Sequence, residues 1–141
     1  ARQAMTGTIN IELVDKPKGK GRPRFTTVNG YARAYTPSQT KNAEYEIRLK
    51  SLSQIPHGIN KNAPISLDIT FFFKRPKYLV RKTMPMQDEV TTKPDIDNLQ
   101  KTPLDALKGK LYADDSQIWE LKSRKLYGNE TPKITIVWEM K

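Results

Sequence analysis

Apolar and polar residues alternate in four stretches of the chain, and this alternation predicts four β-strands. The clearest stretch covers residues 65–73, and the others cover residues 8–14, 118–127 and 133–139. Successive side chains of a strand point to opposite faces, so each strand is expected to bury one apolar face in a core.

A hairpin and a helix are predicted between the first two of these strands. Residues 25–35 place Asn29-Gly30 between β-prone flanks, which is a strong indication of a tight hairpin turn. Thr36-Pro37 then suits the start of a helix, because threonine can cap it and proline fits its first turn. The spacing puts three large side chains of this helix on one face: Tyr45, Leu49 and Leu52.

A polar segment and a second helix follow the strand at residues 65–73. Residues 77–92 mix charges with proline and methionine, and we interpret them as a flexible loop. The next helix is expected over residues 98–108, with Asp97 as its N-cap and Gly109 as its C-terminal cap. Pro103 falls inside this range and predicts a kink or an irregular turn, because proline cannot donate a backbone hydrogen bond.

The order of these elements predicts an α+β fold, with a mixed β-sheet and two main helices packed on one face. We expect a single domain over residues 1–141, with residues 1–5 left out of the fold because Met5 is a candidate natural start. No apolar run approaches the length of a membrane span, and no secretory segment is visible, so no membrane partner is expected.

Charge changes the picture more than overall composition does. The chain carries a net charge of +10, with 25 lysines and arginines against 15 acidic residues. So basic a domain usually binds a polyanion, most often nucleic acid, although a merely soluble basic protein is the alternative. There is no cysteine, which excludes disulfides and thiol chemistry, and the single histidine, His57, argues against histidine-rich metal sites.

One segment concentrates this positive charge at every second position: Lys16, Lys18, Lys20, Arg22 and Arg24. Glycines and prolines between the cations forbid a helix, and an extended chain would put them largely on one side. That arrangement suits a DNA phosphate backbone, and a solvated loop is the alternative. Further candidate DNA contacts follow the strand at residues 65–73: Arg75, Lys77, Arg81 and Lys82.

A compact acidic cluster in this basic chain is the main candidate for chemistry. Asp95 and Asp97 lie two residues apart, and a third carboxylate could come from Asp114 or Asp115, between which the spacing does not choose. Carboxylates with water suit Mg²⁺ or Mn²⁺ and leave coordination positions for phosphate oxygens. The alternative is structural, with Asp97 capping a helix and the later pair forming a polar turn.

Lys101 follows Asp97 by four residues, so a helix would place both on the same face. Its ammonium could stabilise negative charge on a phosphate undergoing cleavage. Asp105 lies four residues further on, so a structural ion pair with Lys101 is equally compatible with the spacing.

The chain resembles the RusA family of Holliday junction resolvases in three ordered blocks. They read KPDIDNLQK at residues 93–101, DALKG at residues 105–109 and DDSQI at residues 114–118. GKGRPR at residues 19–24 and YTP at residues 35–37 are similar to the amino-terminal part of many members.

This resemblance implies a homodimeric, Mg²⁺-dependent endonuclease that resolves four-way DNA junctions by paired symmetric nicks, with Mn²⁺ as a substitute ion. It implies work in DNA recombination and repair, in the cytoplasm of a bacterium or a phage-infected cell. The catalytic, metal-binding aspartates would be Asp95, Asp97 and Asp115, and the functional lysine would be Lys101. Asp114 also matches an acidic position of the family.

Two other functions remain open at this point. One is a non-catalytic DNA-binding protein with a structural acidic cluster, and the other is a nuclease acting on other branched or single-stranded DNA. A dimer would match the two-fold symmetry of a four-way junction. Trp119 and Trp138 are candidates for its surface, although core packing is the expected role of both.

Overall fold

The computed structural model describes residues 4–21, 24–35, 38–77, 87–128 and 131–141. The strands and helices are, in chain order, β1 (Met5–Glu12), β2 (Arg24–Val28), β3 (Tyr31–Tyr35), α1 (Ser38–Ser51), β4 (Ile65–Lys74), α2 (Ile96–Leu107), β5 (Ile118–Gly128) and β6 (Lys133–Met140). Short 3-10 helices follow α1 and precede β5, at Leu52–Gln54 and Asp115–Gln117. None of the described helices is long and apolar enough to cross a membrane.

Four strands form one mixed sheet in the order β1-β6-β4-β5. β6 pairs antiparallel with both β1 and β4, whereas β4 and β5 are parallel and are connected through α2. β2 and β3 form a separate two-stranded hairpin. The predicted α+β fold with a mixed sheet is therefore confirmed.

The core follows from the alternation of apolar residues along the strands. Ile136 on β6 pairs with Ile9 on β1 and with Ile69 on β4, and all three side chains are fully buried. Ile47 of α1 and Leu99 of α2 join the same buried cluster. The two helices therefore cover the apolar face of the sheet, as the sequence predicts.

The indole ring of Trp138 on β6 lies close to the backbone of β1 because residue 7 is glycine. Gly7 pairs with Trp138, and a Cβ atom at Gly7 would lie 2.4 Å from Cζ2 of the indole ring. Trp138 is the largest fully buried side chain and packs in the core, as expected. The absence of a side chain at Gly7 makes room for this indole.

Trp119, in contrast, is 54% exposed, so the expected core position is wrong for this residue. The β4–β5 register shifts between Ile65 and Ser66, which pair with Ile118 and Glu120, and Trp119 is the extra residue between them. Such a bulge changes the direction of the side chain. The ammonium of Lys141 lies 4.6 Å from the centre of the exposed indole ring.

The β2–β3 hairpin has the predicted two-residue turn. Val28 pairs with Tyr31, and the intervening Asn29 and Gly30 have φ angles of 51° and 81°. Positive φ at both positions is typical of the turns that best match the twist of paired strands. The predicted helix start at Thr36-Pro37 lies outside the described residues.

The three apolar residues predicted to share one face of α1 do not face the core. Tyr45 and Leu49 are exposed, as is Leu52 just after the helix, while Thr40, Ile47 and Ser51 are buried. The hydroxyl of Ser51 donates to the Ile47 carbonyl at 2.6 Å. Because small polar residues can be buried once they are hydrogen-bonded, α1 packs closely through this face instead.

The second helix begins earlier than predicted and is continuous through Pro103. Asp95 is its N-cap, so the prediction that Asp97 fills this position is wrong, and Asp97 lies in the first turn. Pro103 is buried within the helix, which runs to Leu107. Gly109 then takes a φ of 84° in the turn that follows the helix, close to the predicted C-terminal position.

The part of the predicted loop that is described, residues 87–92, lies against β5. Val90 is buried and its amide donates to the Lys125 carbonyl at 3.1 Å. The amide of Tyr127 donates to the Asp88 carbonyl at 2.8 Å. The chain is therefore held to the sheet just before it enters the acidic cluster.

Candidate active site

Two aspartates stand at the amino-terminal end of α2. The carbonyl of Asp95 accepts hydrogen bonds from the amides of Asn98 and Leu99 at 3.1 and 3.0 Å, which starts the helix. Its carboxylate makes no capping hydrogen bond, and the Asp95 and Asp97 side chains are both exposed. Both carboxylates are therefore open to a ligand at the start of the helix.

The strand β5 fixes the chain on both sides of these aspartates. The ammonium of Lys125 donates to the carbonyls of Thr92 and Pro94, at 2.7 Å in each case. Beyond the aspartates, the hydroxyl of Ser123 donates to Oε1 of Gln100 at 3.0 Å. Both side chains come from β5, so the sheet determines where α2 begins.

The basic segment at residues 16–21 is fastened to α2. The amide of Lys20 donates to the Asn98 carbonyl at 3.3 Å, and the hydroxyl of Thr102 donates to the Lys18 carbonyl at 3.0 Å. Gly19 lies so close that a Cβ atom there would be 2.4 Å from Nδ2 of Asn98. These contacts hold the cations of the segment beside the aspartates.

An open groove of about 1100 Å³ is lined by residues of both the basic segment and the start of α2. Its walls carry both signs of charge, with the basic segment opposite the start of α2. The charged residues that line it are Lys16, Lys18, Lys20, Lys93, Asp95, Asp97 and Lys101. The groove therefore brings Asp95, Asp97 and Lys101 together with three of the five predicted cations of the basic segment.

Lys101 lies in this groove one helical turn after Asp97, and its side chain is exposed. The possible ion pair between Lys101 and Asp105 is not formed. Asp105 instead binds Lys20, with 2.5 Å between Oδ2 and Nζ. Among the described residues no ion pair engages Lys101, so its ammonium is available to a ligand in the groove.

The Lys20–Asp105 pair is the centre of a small group of charges. The hydrogen bond to Asp105 is the main reason that the pKa of the Lys20 ammonium is raised, and partial burial opposes it. The charges of Glu44 and Asp115 raise it further. Burial and the nearby charge of Asp105 also raise the pKa of the Glu44 carboxyl.

The two neighbouring aspartates before β5 have different surroundings. Asp114 caps the 3-10 helix: its Oδ2 accepts hydrogen bonds from the amide and hydroxyl of Ser116, and its Oδ1 lies 3.4 Å from the Lys108 ammonium. These contacts, with those to Ser116 the largest, lower the pKa of Asp114. No described residue forms a hydrogen bond or ion pair with the Asp115 carboxylate, which leaves it open to a ligand.

The charges of Asp115 and Asp105 raise the pKa values of the same two groups, Lys20 and Tyr112. After burial, which is the main cause, the charges of Asp115 and Asp105 raise the pKa of the Tyr112 hydroxyl. That hydroxyl donates to the Leu104 carbonyl of α2. The electrostatic influence of Asp115 thus extends to α2, although Asp115 does not line the groove.

The donor chemistry of Asp95, Asp97 and Asp115 fits Mg²⁺, because hard divalent cations prefer carboxylate oxygens and water. The three are not gathered, however: within the described ranges no three histidine, cysteine, aspartate or glutamate side chains form a metal-binding group. The structure thus provides carboxylates of the right type and leaves them exposed.

The lysines of the basic segment that were predicted to contact DNA differ in whether an aspartate of the protein already binds them. Lys16 is exposed on the groove, whereas Lys18 lies 3.6 Å from Asp15 and Lys20 is bound to Asp105. Arg22 is outside the described residues, and Arg24 begins β2 with its side chain outside the described part. Lys16 therefore remains the clearest candidate for a phosphate contact in this segment.

Arg75 is not placed for the predicted DNA contact. Its side chain is only 8% exposed, and its guanidinium donates to the Gln87 carbonyl at 2.7 Å and to Oδ1 of Asp88 at 2.8 Å. The same group stacks 5.5 Å from the centre of the Tyr127 ring. Lys77 is exposed, and its DNA contact stays a prediction, while Arg81 and Lys82 lie outside the described residues.

Two features of the site were missed in the sequence. The first is the capping box of Asp114 and Gln117, in which the Gln117 side chain also accepts the Asp114 amide at 2.8 Å. Its four-residue spacing was visible and would have separated Asp114 from Asp115. The second is Lys125, for which an isolated lysine in a strand gives no indication of its two carbonyl partners.

An α+β domain with exposed carboxylates beside a basic groove has the two features that a metal-dependent nuclease uses, ligands for a cation and contacts for phosphates. Comparison with known families agrees: the family model described as "Endodeoxyribonuclease RusA" matches residues 15–139. The chain belongs to the RusA family of endodeoxyribonucleases. The predicted family and enzyme class are thereby confirmed.

Two relatives extend this comparison. The chain is 30% identical over 135 residues to "Uncharacterized protein YqaN" of Bacillus subtilis (strain 168), covering 92% of this chain and 94% of that protein. It is also 30% identical over 120 residues to "Crossover junction endodeoxyribonuclease rusA" of Lactococcus phage r1t, covering 84% and 86%. Both relatives are matched along most of their length.

Proposed function

We propose that this protein is a Mg²⁺-dependent endonuclease that resolves four-way DNA junctions by paired symmetric nicks, in DNA recombination and repair. The name of the phage relative, a crossover junction endodeoxyribonuclease, supports a junction as substrate. The single observation that carries the proposal is the groove in which Asp95, Asp97 and Lys101 face the basic segment. Cytoplasmic work in a bacterial or phage-infected cell fits the sources of both relatives.

The carboxylates of Asp95, Asp97 and Asp115 are the residues that would hold Mg²⁺, with Mn²⁺ as a substitute. The ion supplies a bound water of lowered pKa and neutralises charge on the phosphate. Without such a cation, Asp95 and Asp97 would repel the DNA backbone. We therefore expect the ion to be required for tight approach of DNA to this part of the groove as well as for cleavage.

The chain's own cations take two roles. Lys101, one turn from Asp97, is placed to donate to a phosphate oxygen and to stabilise the charge that develops there during cleavage. Lys16 and Lys18 on the opposite wall bind neighbouring phosphates and orient the strand. Neither role reads the base sequence, which suits an enzyme that recognises the shape of a branched substrate.

A homodimer forms part of this proposal. A four-way junction has approximate two-fold symmetry and needs two cuts, so two identical sites related by a two-fold axis match it. Light scattering in solution is expected to give twice the mass of the chain. A monomer at micromolar concentration, alone and with junction DNA, would contradict this part.

The direct test is cleavage of a labelled four-way junction by purified protein, with Mg²⁺ or with a chelator. We expect symmetric nicks only with the ion, and little cleavage of linear duplex of the same sequence. Equal cleavage of forks and single strands would instead indicate a broader branched-DNA nuclease, and binding without any nicking would indicate a non-catalytic DNA-binding protein.

The matched variant is Asp97→Asn, which retains the size and shape of the side chain. We expect it to abolish cleavage while the melting temperature and junction binding in Ca²⁺ remain close to wild type. Glu89→Gln, an equivalent change at an exposed position on the sheet edge, serves as the control. If Asp97→Asn still cuts junctions at the wild-type rate, the assignment of the site is wrong.

A further inference from the structure

Lys125 is a lysine whose ammonium contacts the backbone of the protein. It donates to the Thr92 and Pro94 carbonyls at 2.7 Å each, and the contact to Pro94 is partly buried. Neither the groove nor the basic segment includes it. Its two partners are two of the three residues immediately before Asp95, so it acts on the backbone that leads into the carboxylate pair.

We propose that Lys125 is a positioning residue for Asp95 and Asp97: its two hydrogen bonds fix the segment before α2 and so orient the carboxylates toward the ion. The inference rests on the proposed function as far as the ion is concerned. The fixing of the segment itself can be measured without DNA or metal.

Charge makes these two hydrogen bonds strong. Bonds from an ammonium to carbonyl oxygens are shorter and stronger than neutral ones, and partial burial strengthens the one to Pro94 further. Pro94 has no amide hydrogen, so the segment has one backbone donor fewer with which to anchor itself. Its carbonyls are the groups left to hold it, and a single ammonium holds two of them.

The position of Lys125 on β5 makes this anchor rigid. Its own carbonyl accepts a hydrogen bond from the Val90 amide at 3.1 Å. Both the backbone and the side chain of Lys125 therefore bind the segment that precedes Asp95. β5 pairs in parallel with β4 along its whole length, from Ile118 to Gly128. The anchor therefore belongs to the sheet.

Lys101 and Lys125 consequently have different roles. Lys101 is exposed in the groove and has no ion pair among the described residues, so it is free to touch a substrate. Lys125 touches backbone only and acts through the aspartates. Removing Lys101 should reduce cleavage without changing ion binding, whereas removing Lys125 should weaken ion binding itself.

The central experiment replaces Lys125 with methionine, which retains most of the side-chain length and removes all donors. Mn²⁺ binding to the protein without DNA is measured by titration calorimetry, and amide exchange of residues 91–98 by mass spectrometry. Groups that orient metal ligands typically change affinity by about 10- to 100-fold. We expect at least about tenfold weaker Mn²⁺ binding and faster exchange in this segment, with the circular dichroism spectrum unchanged.

Lys122→Met is the matched control, because Lys122 is an exposed lysine on the same strand. It is expected to leave both Mn²⁺ binding and exchange unchanged. Lys125→Arg, which retains charge and donors, is expected to recover most of the Mn²⁺ affinity. A general loss of stability would affect binding without this recovery, so rescue by arginine separates positioning from a purely structural role.

These measurements distinguish a failure of the Lys125 anchor from a failure of the proposed metal site. If the wild-type protein binds no Mn²⁺ but Lys125→Met still accelerates exchange in residues 91–98, the anchor stands and the metal proposal fails. If Lys125→Met is folded, binds Mn²⁺ as wild type and exchanges as wild type, the inference is overturned. Should Lys125→Met unfold, Lys125→Gln carries the test, and wild-type binding and exchange in that variant would equally overturn it.

Discussion

The ammonium of Lys20 and the carboxylate of Asp105 form an ion pair with 2.5 Å between Nζ and Oδ2. The two residues are 85 positions apart in sequence, and the pair joins the basic wall of the groove to the helix that carries Asp97 and Lys101. Both side chains are about one-third exposed, at 35% and 30%. The contact therefore has partial protection from solvent and fixes the width of the groove at one end.

Removing either partner of this pair should loosen the groove. We expect Lys20→Met and Asp105→Asn each to lower the free energy of unfolding by about 1 kcal/mol, given the partial exposure of the pair. The double variant should cost less than the sum, because the shared contact is lost only once. Urea unfolding measures all three, and Lys110→Met, at an exposed turn position, is the control. Strict additivity would contradict the coupling.

The same pair should make stability depend on alkaline pH. The pKa of Lys20 is raised above its ordinary value of 10.5 in the folded state, so its contribution is complete below 10.5. It is lost as pH rises through the folded pKa, because the neutral amine no longer attracts Asp105. Melting temperatures from pH 9 upward should therefore fall more steeply for wild type than for Lys20→Met. Parallel curves would count against the pair.

Changing Asp114 and changing Asp115 to asparagine should have different effects. Asp115→Asn is expected to abolish Mg²⁺-dependent cleavage with little change in melting temperature. Asp114→Asn is expected to lower the melting temperature and retain cleavage, because the hydrogen bonds from Ser116 favour the carboxylate. Since the pKa of Asp114 is lowered from 3.8, its contribution exists above that value and disappears as pH falls below it. The reverse pattern would exchange the two roles.

Arg75 and Lys16 should differ in the way they affect DNA binding. Lys16→Ala is expected to weaken junction binding and to reduce the slope of log affinity against log salt by about one, because one phosphate contact is lost. Arg75→Ala should leave that slope unchanged and lower the melting temperature, because its guanidinium binds Gln87 and Asp88. A reduced salt slope in Arg75→Ala would return Arg75 to the DNA interface.

Gly7 should tolerate no side chain. A Cβ atom there would overlap the indole of Trp138, so Gly7→Ala is expected to lower the free energy of unfolding by about 1–3 kcal/mol through overpacking. The neighbouring exposed Thr8→Ala is the control and should change it by less than about 0.5 kcal/mol. Equal effects of the two changes would show that the indole can move aside without cost.

The strands were predictable because burial on one face leaves a two-residue period that local sequence displays directly. Ile9, Ile69 and Ile136 all follow that period, and all are fully buried. The face of α1 was not predictable in the same way. Its inner residues Thr40 and Ser51 are polar, and only their partners, Gly21 and Ile47, show that their hydroxyls are satisfied.

In the candidate site, the aspartates and Lys101 could be found because their spacing is local to one helix. The Lys20–Asp105 pair and the contacts of Lys125 could not, because they join residues far apart in the chain. The start of α2 at Ile96 depends on where β5 holds Thr92 and Pro94. Local capping preferences favoured Asp97, and tertiary contacts placed the boundary two residues earlier.

The contact of Arg75 with Gln87 and Asp88 has a consequence for how this protein can change over evolution. The chain leaves β4 just before Arg75, and Gln87 and Asp88 bind the guanidinium of that arginine. The two ends of the connection between Arg75 and Gln87 are therefore held together. Lengthening a loop with fixed ends costs little, about 0.6 kcal/mol for each doubling. Changes of length between Lys77 and Gln87 are therefore expected to leave the aspartates in place.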